Sequence, residues 1–114
     1  MLRKKINRIK ANKDFALAIK KGKTFKNNSY IIHISDNELK TIRIGISVSK
    51  KLGIAVTRNK IKRQVRAMCQ DIDLDSTSKD IVIVVRSNFL DNTYQENKEL
   101  LCKTLSEANI GVKK

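Results

Sequence analysis

The chain has 114 residues, two cysteines, no proline and a formal net charge of +14, from 25 lysines and arginines against 11 acidic residues. This length predicts a single domain over residues 1–114, since domains commonly comprise about 100–150 residues. No apolar run approaches the roughly 20 residues that cross a bilayer, and the basic N-terminus lacks the apolar stretch of a secretion signal. We therefore expect a cytoplasmic protein with no membrane partner.

The positive charge is concentrated in the first two-thirds of the chain. Residues 1–26 carry ten basic residues and one acidic residue, and residues 40–66 carry nine basic residues and no acidic one. Residues 71–114 carry six basic and eight acidic residues. A uniformly solvated basic surface would mix the charges more evenly. The distribution favours one surface that faces a polyanion such as a nucleic acid.

The N-terminal region predicts an arm followed by a short helix. Residues 1–11 show no clear periodicity and are predicted to be a flexible basic arm. A helix fits residues 13–21, because Asn12 can cap its free amides and Gly22 can end it. Phe15 and Ile19 lie four residues apart and share one face of this helix.

Two strand patterns follow. Phe25 and residues 29–35 are predicted as strand, and residues 36–38 as a turn. Residues 41–49 alternate strictly between apolar and small polar side chains, which is typical of a strand with one face on a core. The predicted core-facing residues are Ile42, Ile44, Ile46 and Val48.

The second half of the chain predicts a basic helix, a buried strand and a last helix. The helix spans about residues 55–70, and the apolar run 80–86 indicates a strand covered on both faces. Thr93 and Glu96 form a capping box for the last helix, and Gly111 can end it. Predicted inward residues are Ile61, Val65, Met68 and Ile72 in the basic helix, and Tyr94, Leu101, Leu105 and Ala108 in the last helix. The fold class is α+β, a small sandwich of order α-β-β-(β)-α-β-α with helices packed on one sheet.

The basic helix carries the most informative chemistry. Arg58, Lys62 and Arg66 form an i, i+4, i+8 row, and together with Asn59 and Arg63 they span about 140° beside the apolar stripe. Like charges at this spacing repel by a few tenths of a kcal/mol per pair, and no acidic residue within the helix relieves them. A turn with two more lysines precedes the helix, whose N-terminus attracts anions. This arrangement favours binding of phosphates.

This segment resembles the signature of the bacterial ribonuclease P protein family. The pattern is K-K-x-G-x-A-V-x-R-N-x-I-K-R-x-x-R, preceded by the strand RIGISVS. Ile54 stands where the family usually has Asn, and Lys60 replaces the second Arg of the usual Arg-Asn-Arg, so the charge is kept but the bidentate fork is lost. The matching positions are Lys50, Lys51, Gly53, Ala55, Val56, Arg58, Asn59, Ile61, Lys62, Arg63 and Arg66.

The resemblance implies an RNA-binding subunit that assists a catalytic RNA in removing the 5′ leader of precursor tRNA. It implies that the RNA holds the active site and its Mg²⁺ ions, that the protein binds no cofactor alone and is a monomer when free, and that the crossover around the basic helix is left-handed. Docking on the catalytic RNA is implied for Lys50, Lys51, Arg58, Asn59, Lys60, Lys62, Arg63 and Arg66. A cleft for the single-stranded leader is implied for Phe15, Ile19, Ile31 and His33. Ile19 and His33 fall where the family often has aromatic residues, so we expect weak stacking and more reliance on charge.

The residues themselves predict no catalytic or metal site in the protein. His33 is the only histidine, and Cys69 and Cys102 are too few for a zinc site. The run Asp71-x-Asp73-x-Asp75 lacks the glycine and final glutamate of a calcium loop and is interpreted as a solvated loop. The principal alternative is a ribosomal or ribonucleoprotein-assembly protein that binds structured RNA. A DNA-architectural protein and a self-sufficient nuclease are less well supported.

Overall fold

The structure is a computed structural model that describes residues 7–9, 12–36, 42–71, 73–74, 79–107 and 112–113. Short 3-10 helices span Lys50–Leu52 and Ser87–Asp91. The α-helices are α1 (Asn12–Lys21), α2 (Ala55–Asp71) and α3 (Tyr94–Glu107). The strands are β1 (Asn7–Arg8), β2 (Lys23–Lys26), β3 (Tyr30–Asp36), β4 (Arg43–Val48), β5 (Asp73–Leu74), β6 (Lys79–Val85) and β7 (Val112–Lys113).

Five of these strands form one sheet in the order β1-β4-β6-β3-β2, and β5 pairs with β7 separately. Strands β4 and β6 are parallel neighbours, whereas β3 runs antiparallel to both β2 and β6. Parallel neighbours require a crossover connection, and α2 lies between β4 and β6 in the chain and provides it. The predicted α+β class and order of helices and strands are confirmed. The short ladder of β5 and β7 was not predicted.

The main core lies between the sheet, α2 and α3. The predicted stripe of α2 is confirmed by Ile61, Val65 and Met68, which are almost fully buried. The predicted inner face of β4 is also confirmed, with Ile44 and Val48 buried against the same core. Burying each such side chain stabilises the fold by about 1.5–3 kcal/mol. Ile72, predicted in the same stripe, lies outside the described residues.

Helix α1 covers part of the opposite face of the sheet. Ala18 of α1 and Val82 of β6 are buried in a second apolar cluster, and Phe15 packs against it. Because β6 faces this cluster on one side and the main core on the other, nearly all its side chains are buried. The prediction of a strand covered on both faces is confirmed.

The start of α3 follows the predicted capping box. The Thr93 amide donates to Glu96 Oε1 at 2.9 Å, and the Glu96 amide donates to Thr93 Oγ1 at 3.2 Å. Leu101 and Leu105 are buried as predicted, but Tyr94 is 39% exposed, so the prediction that it points inward is wrong. Tyr94 is the first residue of α3, and residues 93–96 are all exposed, so its position on the apolar stripe does not bury it. Ala108 and Gly111 lie outside the described residues.

Strand β1 lies within the segment for which the sequence predicts a flexible arm. Asn7 and Arg8 pair in parallel with β4, the Ile9 amide donates to the Ile44 carbonyl at 3.2 Å, and Ile9 is buried. For residues 7–9 the prediction of a flexible arm is therefore wrong. Pairing with a strand distant in the chain cannot be recognised from the local periodicity of the sequence. Residues 1–6, 10 and 11 lie outside the described residues.

Candidate nucleic-acid interface

The turn that enters α2 presents two lysines to solvent. Ser49 Oγ accepts from the Lys51 amide at 3.2 Å, and the Gly53 amide closes the turn on the Lys50 carbonyl at 3.2 Å. Leu52 anchors the turn in the core, whereas Lys50 and Lys51 are exposed. Gly53 has φ +143, a conformation that side chains with a Cβ rarely adopt. Backbone geometry therefore fixes where these two cations stand.

One face of α2 carries most of the predicted RNA-binding residues. Arg58, Lys62 and Arg66 form the predicted row and are half-buried beside the apolar stripe, while Asn59 and Arg63 are exposed. The first turn of α2 contains no acidic residue. Arg58 Nε is buried and has no hydrogen-bond partner among the described residues. The structure thus brings five of the eight predicted docking residues onto one surface.

Lys60 lies on the opposite flank of α2 and is separated from this row. It lines a groove between α2 and residues 89–97, together with Gln64 of the same helix. The predicted docking set therefore divides into three parts: the turn, the row side of α2 and Lys60. The row side of α2 comprises Arg58, Asn59, Lys62, Arg63 and Arg66. The helical period allows this division to be read from the sequence, since Lys60 falls about 160° from Lys62 around the helix.

The predicted leader cleft lies on the α1 side of the sheet. His33 of β3 is opposite Val82 of β6, and Ile31 is opposite Val84, so both share the face on which the second apolar cluster lies. Both residues are half-buried. Phe15 of α1 packs on the same cluster, so the aromatic ring predicted for the cleft lies on this face of the sheet.

Ile19, the fourth predicted cleft residue, is 43% exposed. From their residue types alone, Phe15 and Ile19 could also be core residues with no role in binding. Phe15 is partly buried in the second cluster, but the exposure of Ile19 leaves much of its side chain accessible. The α1 surface next to the open sheet face is therefore apolar and accessible.

His33 lies in a polar and positively charged part of this face. Its Nδ1 is 3.0 Å from Thr24 Oγ1 of β2. Burial and the neighbouring Lys26 lower the pKa of His33 below its usual value. Lys26 is exposed and stands opposite Ile31 in the β2–β3 ladder, which places a cation on the cleft face. The sequence prediction omitted Lys26, because only the strand register shows which face it shares.

Gly45 of β4 allows Phe15 to reach the sheet. A Cβ added at Gly45 would lie 2.5 Å from Phe15 Cζ and 2.6 Å from Phe15 Cε1. Real carbon atoms do not approach this closely, so the ring would have to move. The glycine in the strand is thus required by the close approach of an aromatic ring that belongs to the candidate cleft.

Gly45→Ala is expected to lower the free energy of unfolding by about 1–3 kcal/mol, because an extra methyl group overpacks the contact with Phe15. Urea denaturation followed by circular dichroism measures the change. Ser47→Ala is the matched control, since Ser47 lies on the same face of β4 and is exposed, and it should change stability by at most about 0.5 kcal/mol. Equal stability of the Gly45 variant and the parent would contradict the assigned packing.

Acidic and thiol groups do not assemble a metal centre in the part of the chain that the structure describes: no group of three or more His, Cys, Asp or Glu side chains comes together there. Cys69 and Cys102 are free, and burial raises the pKa of the Cys69 thiol to about 12. Within the same residues, no helix has the combination of length and apolar character that a bilayer crossing requires.

Comparison with known sequences identifies similar proteins over nearly the whole chain. The family model described as Ribonuclease P matches residues 3–109. A ribonuclease P protein component from Mesoplasma florum is 46% identical over 105 residues, which cover 90% of this chain and 94% of the relative. A protein of the same name from Streptococcus thermophilus is 35% identical over 107 residues, covering 94% and 96%.

Solved structures give the same result. The ribonuclease P protein of Staphylococcus aureus aligns with a TM-score of 0.80 at 38% identity and covers 94% of this chain and 99% of the other. The protein from Thermotoga maritima aligns with a TM-score of 0.73 at 30% identity, covering 86% and 94%. These matches do not favour the alternative of a ribosomal or assembly protein.

Proposed function

The chain belongs to the ribonuclease P protein family, and from this premise we propose that it is the RNA-binding subunit that docks on a ribonuclease P RNA and helps it remove the 5′ leader of precursor tRNA. The observation that carries the proposal is the row of Arg58, Lys62 and Arg66 on one side of α2, a helix whose first turn contains no acidic residue. Phosphates of structured RNA are the complementary ligands.

The geometry of α2 supports docking on RNA backbone in particular. Lys50 and Lys51 stand at the N-terminal end of the helix, where backbone amides and the helix dipole attract anions. Arg58 has a buried Nε that finds no hydrogen-bond partner in the described part of the chain, and an unpartnered buried donor is costly. A phosphate held by this guanidinium would supply an acceptor and neutralise the repulsion within the row. Lys60 lies on the opposite flank of the helix and is not part of this surface.

The α1 face of the sheet supports the second part of the proposal, the binding of the single-stranded leader. Phe15 offers one ring, and Ile19, Ile31 and His33 form an accessible surface of modest polarity around it. Stacking on rings tolerates any base sequence, but this cleft has few of them. Lys26 adds a charge beside His33, so leader binding in this proposal depends on backbone charge more than on stacking.

In this proposal the protein supplies binding and not chemistry. The RNA holds the Mg²⁺ ions and the reacting groups, while the protein neutralises phosphates and positions the leader. Neutralising phosphates near the cleavage site lowers the electrostatic cost of bringing two RNAs together, so the assembled enzyme needs less Mg²⁺. The free protein is a monomer that acts in the cytoplasm with its RNA partner.

The test is cleavage of a precursor tRNA by a bacterial ribonuclease P RNA with and without this protein. At low millimolar Mg²⁺ we expect correct 5′ cleavage only when the protein is present. At high Mg²⁺ the RNA alone should cleave, which shows that it is correctly folded. Activity that is independent of the protein at low Mg²⁺, with tight protein binding to the RNA, would contradict the proposed role in processing.

A further inference from the structure

A groove of about 300 Å³ lies between α2 and residues 89–97, on the flank of α2 that faces away from the Arg58–Lys62 row. Ile61 and Phe89, which line it, are both buried and give it an apolar floor. The groove lies on the α2 and α3 side of the sheet, whereas the leader cleft lies on the α1 side. A leader in the cleft therefore does not occupy the groove.

Two apolar side chains at the groove remain exposed. Leu90, of a type that proteins usually bury, is 52% exposed, and Tyr94 is 39% exposed. The chain therefore covers Tyr94 only in part and leaves the rest of this aromatic residue accessible at the groove. Exposed apolar groups beside a concave surface are typical of binding sites.

Polar groups at the same groove suit the edge of a base. Asn92 Nδ2 donates to Ser29 Oγ at 2.9 Å and to Asn97 Oδ1 at 3.3 Å, which holds this side-chain amide in place at the groove. Its Oδ1 is an acceptor by type. Gln64 adds a second side-chain amide from α2. One acceptor on a fixed side chain and one adaptable amide can pair with the donors and acceptors of a nucleobase.

The charge of the groove favours a ligand with a phosphate. Among the described residues that line it, Lys60 carries a positive charge and none is acidic. Glu96, in the first turn of α3, accepts from the Thr93 amide, and Asp91, between Leu90 and Asn92 in the chain, is exposed and does not line the groove. Around α2, Lys60 lies about 60° from Arg63. An RNA backbone that follows the row side of α2 can therefore reach the groove by way of Arg63 and Lys60.

We propose that this groove binds one unpaired nucleotide of the RNA that docks on α2, with its base against Tyr94 and Leu90 and its phosphate at Lys60. The base edge is read by Asn92 and Gln64. The inference rests on the proposed function, because it assumes that an RNA lies along α2. It adds to that function a contact with an extruded base, whereas the row side of α2 recognises only backbone.

Tyrosine labelling tests the contact directly. The chain has two tyrosines and no tryptophan, and Tyr30 is completely buried, so a protein labelled with [¹³Cε]tyrosine carries one reporter at the groove and one internal reference. Tyr94→Phe removes and thereby assigns the groove signal. On titration with a bacterial ribonuclease P RNA we expect the Tyr94 signal to move upfield, as a stacked base requires, while the Tyr30 signal stays in place.

Affinity for the same RNA separates stacking from charge. Tyr94→Leu should weaken binding about tenfold, within the range of base–aromatic stacking, and leave the salt dependence unchanged. Tyr94→Phe keeps the ring and should stay within about twofold of the parent. Lys60→Ala should lower the salt slope by one phosphate contact, about 0.7–0.9. Lys103→Ala, an exposed lysine of α3 that does not line the groove, serves as the control.

The outcomes distinguish this inference from the proposed function. Tight RNA binding with an unmoved Tyr94 signal and a Tyr94→Leu variant of full affinity would overturn the groove contact and leave the docking role of α2 intact. Absence of any RNA binding by the unsubstituted protein would overturn both.

Discussion

Replacing Asn97 with leucine is expected to lower the free energy of unfolding by about 3 kcal/mol, since losing the partner of a buried polar group costs about 1–3 kcal/mol for each group left unpaired. Asn97 is 1% exposed. Its Oδ1 accepts from Ser29 Oγ at 2.8 Å and from Asn92 Nδ2 at 3.3 Å, and its Nδ2 donates to the Phe89 carbonyl at 2.9 Å. Leucine leaves these three groups without that partner.

The network that Asn97 completes joins the β2–β3 turn to the start of α3. Asn27 Oδ1 accepts from the amides of Ser29 and Tyr30, both at 2.9 Å, and Asn27 Nδ2 donates to Thr104 Oγ1 at 2.8 Å. The Tyr30 hydroxyl donates to the Asn97 carbonyl at 3.0 Å. A hydrogen-bonded network of this kind fixes one arrangement of the turn and the helix, so disrupting its centre affects both.

Urea denaturation of the Asn97→Leu variant measures the change. Leucine is the better helix former, so helix propensity alone would raise stability slightly, and a net loss must come from the network. Gln95→Leu is the matched control on the same helix, since Gln95 is exposed and its side chain donates to Glu99 at the surface. Its effect should stay within about 0.5 kcal/mol. Equal midpoints for the two variants would contradict the stabilising role of the network.

Asn97 also shows where prediction from sequence reaches its limit. The helical stripe of α3 correctly indicates that Leu101 and Leu105 are buried, because apolar periodicity reports which face meets a core. The same stripe wrongly assigns Tyr94 to the interior and gives no sign that Asn97 is buried. A polar residue is buried when its hydrogen-bond partners lie nearby in the fold. One partner of Asn97, Ser29 in the β2–β3 turn, is 68 residues away in the chain, and another, Phe89, comes from the preceding 3-10 helix, so a helical period cannot show either contact.

The candidate interface divides in the same way. The row of Arg58, Lys62 and Arg66 could be predicted from sequence because its geometry is internal to one helix. Lys26 and Gly45 could not be placed on the cleft face, since their positions depend on strand register and on the packing of α1 across the sheet. The spacing of residues within one helix shows which side chains share a face. A surface built from three elements can be predicted only when the order and packing of those elements are known.

The row side of α2 gives the second large effect. Lys62→Ala combined with Arg63→Ala is expected to weaken binding to a bacterial ribonuclease P RNA about 25- to 60-fold at about 0.1 M salt, because each phosphate contact contributes a salt slope of about −0.7 to −0.9. The slope itself should fall by the two contacts. Both side chains stand off the buried stripe, and alanine favours a helix, so the fold is expected to survive.

The control for this double variant removes the same charge elsewhere. Lys20→Ala with Lys103→Ala takes two exposed lysines from α1 and α3, so both double variants have the same net charge. If the RNA is attracted only by overall charge, the two proteins should lose affinity equally and have the same salt slope. If it docks on α2, the Lys62 and Arg63 variant alone should lose two contacts. Filter binding across a series of salt concentrations separates these results, because a contact with phosphate changes the slope whereas a nonspecific loss of charge away from the interface changes it little.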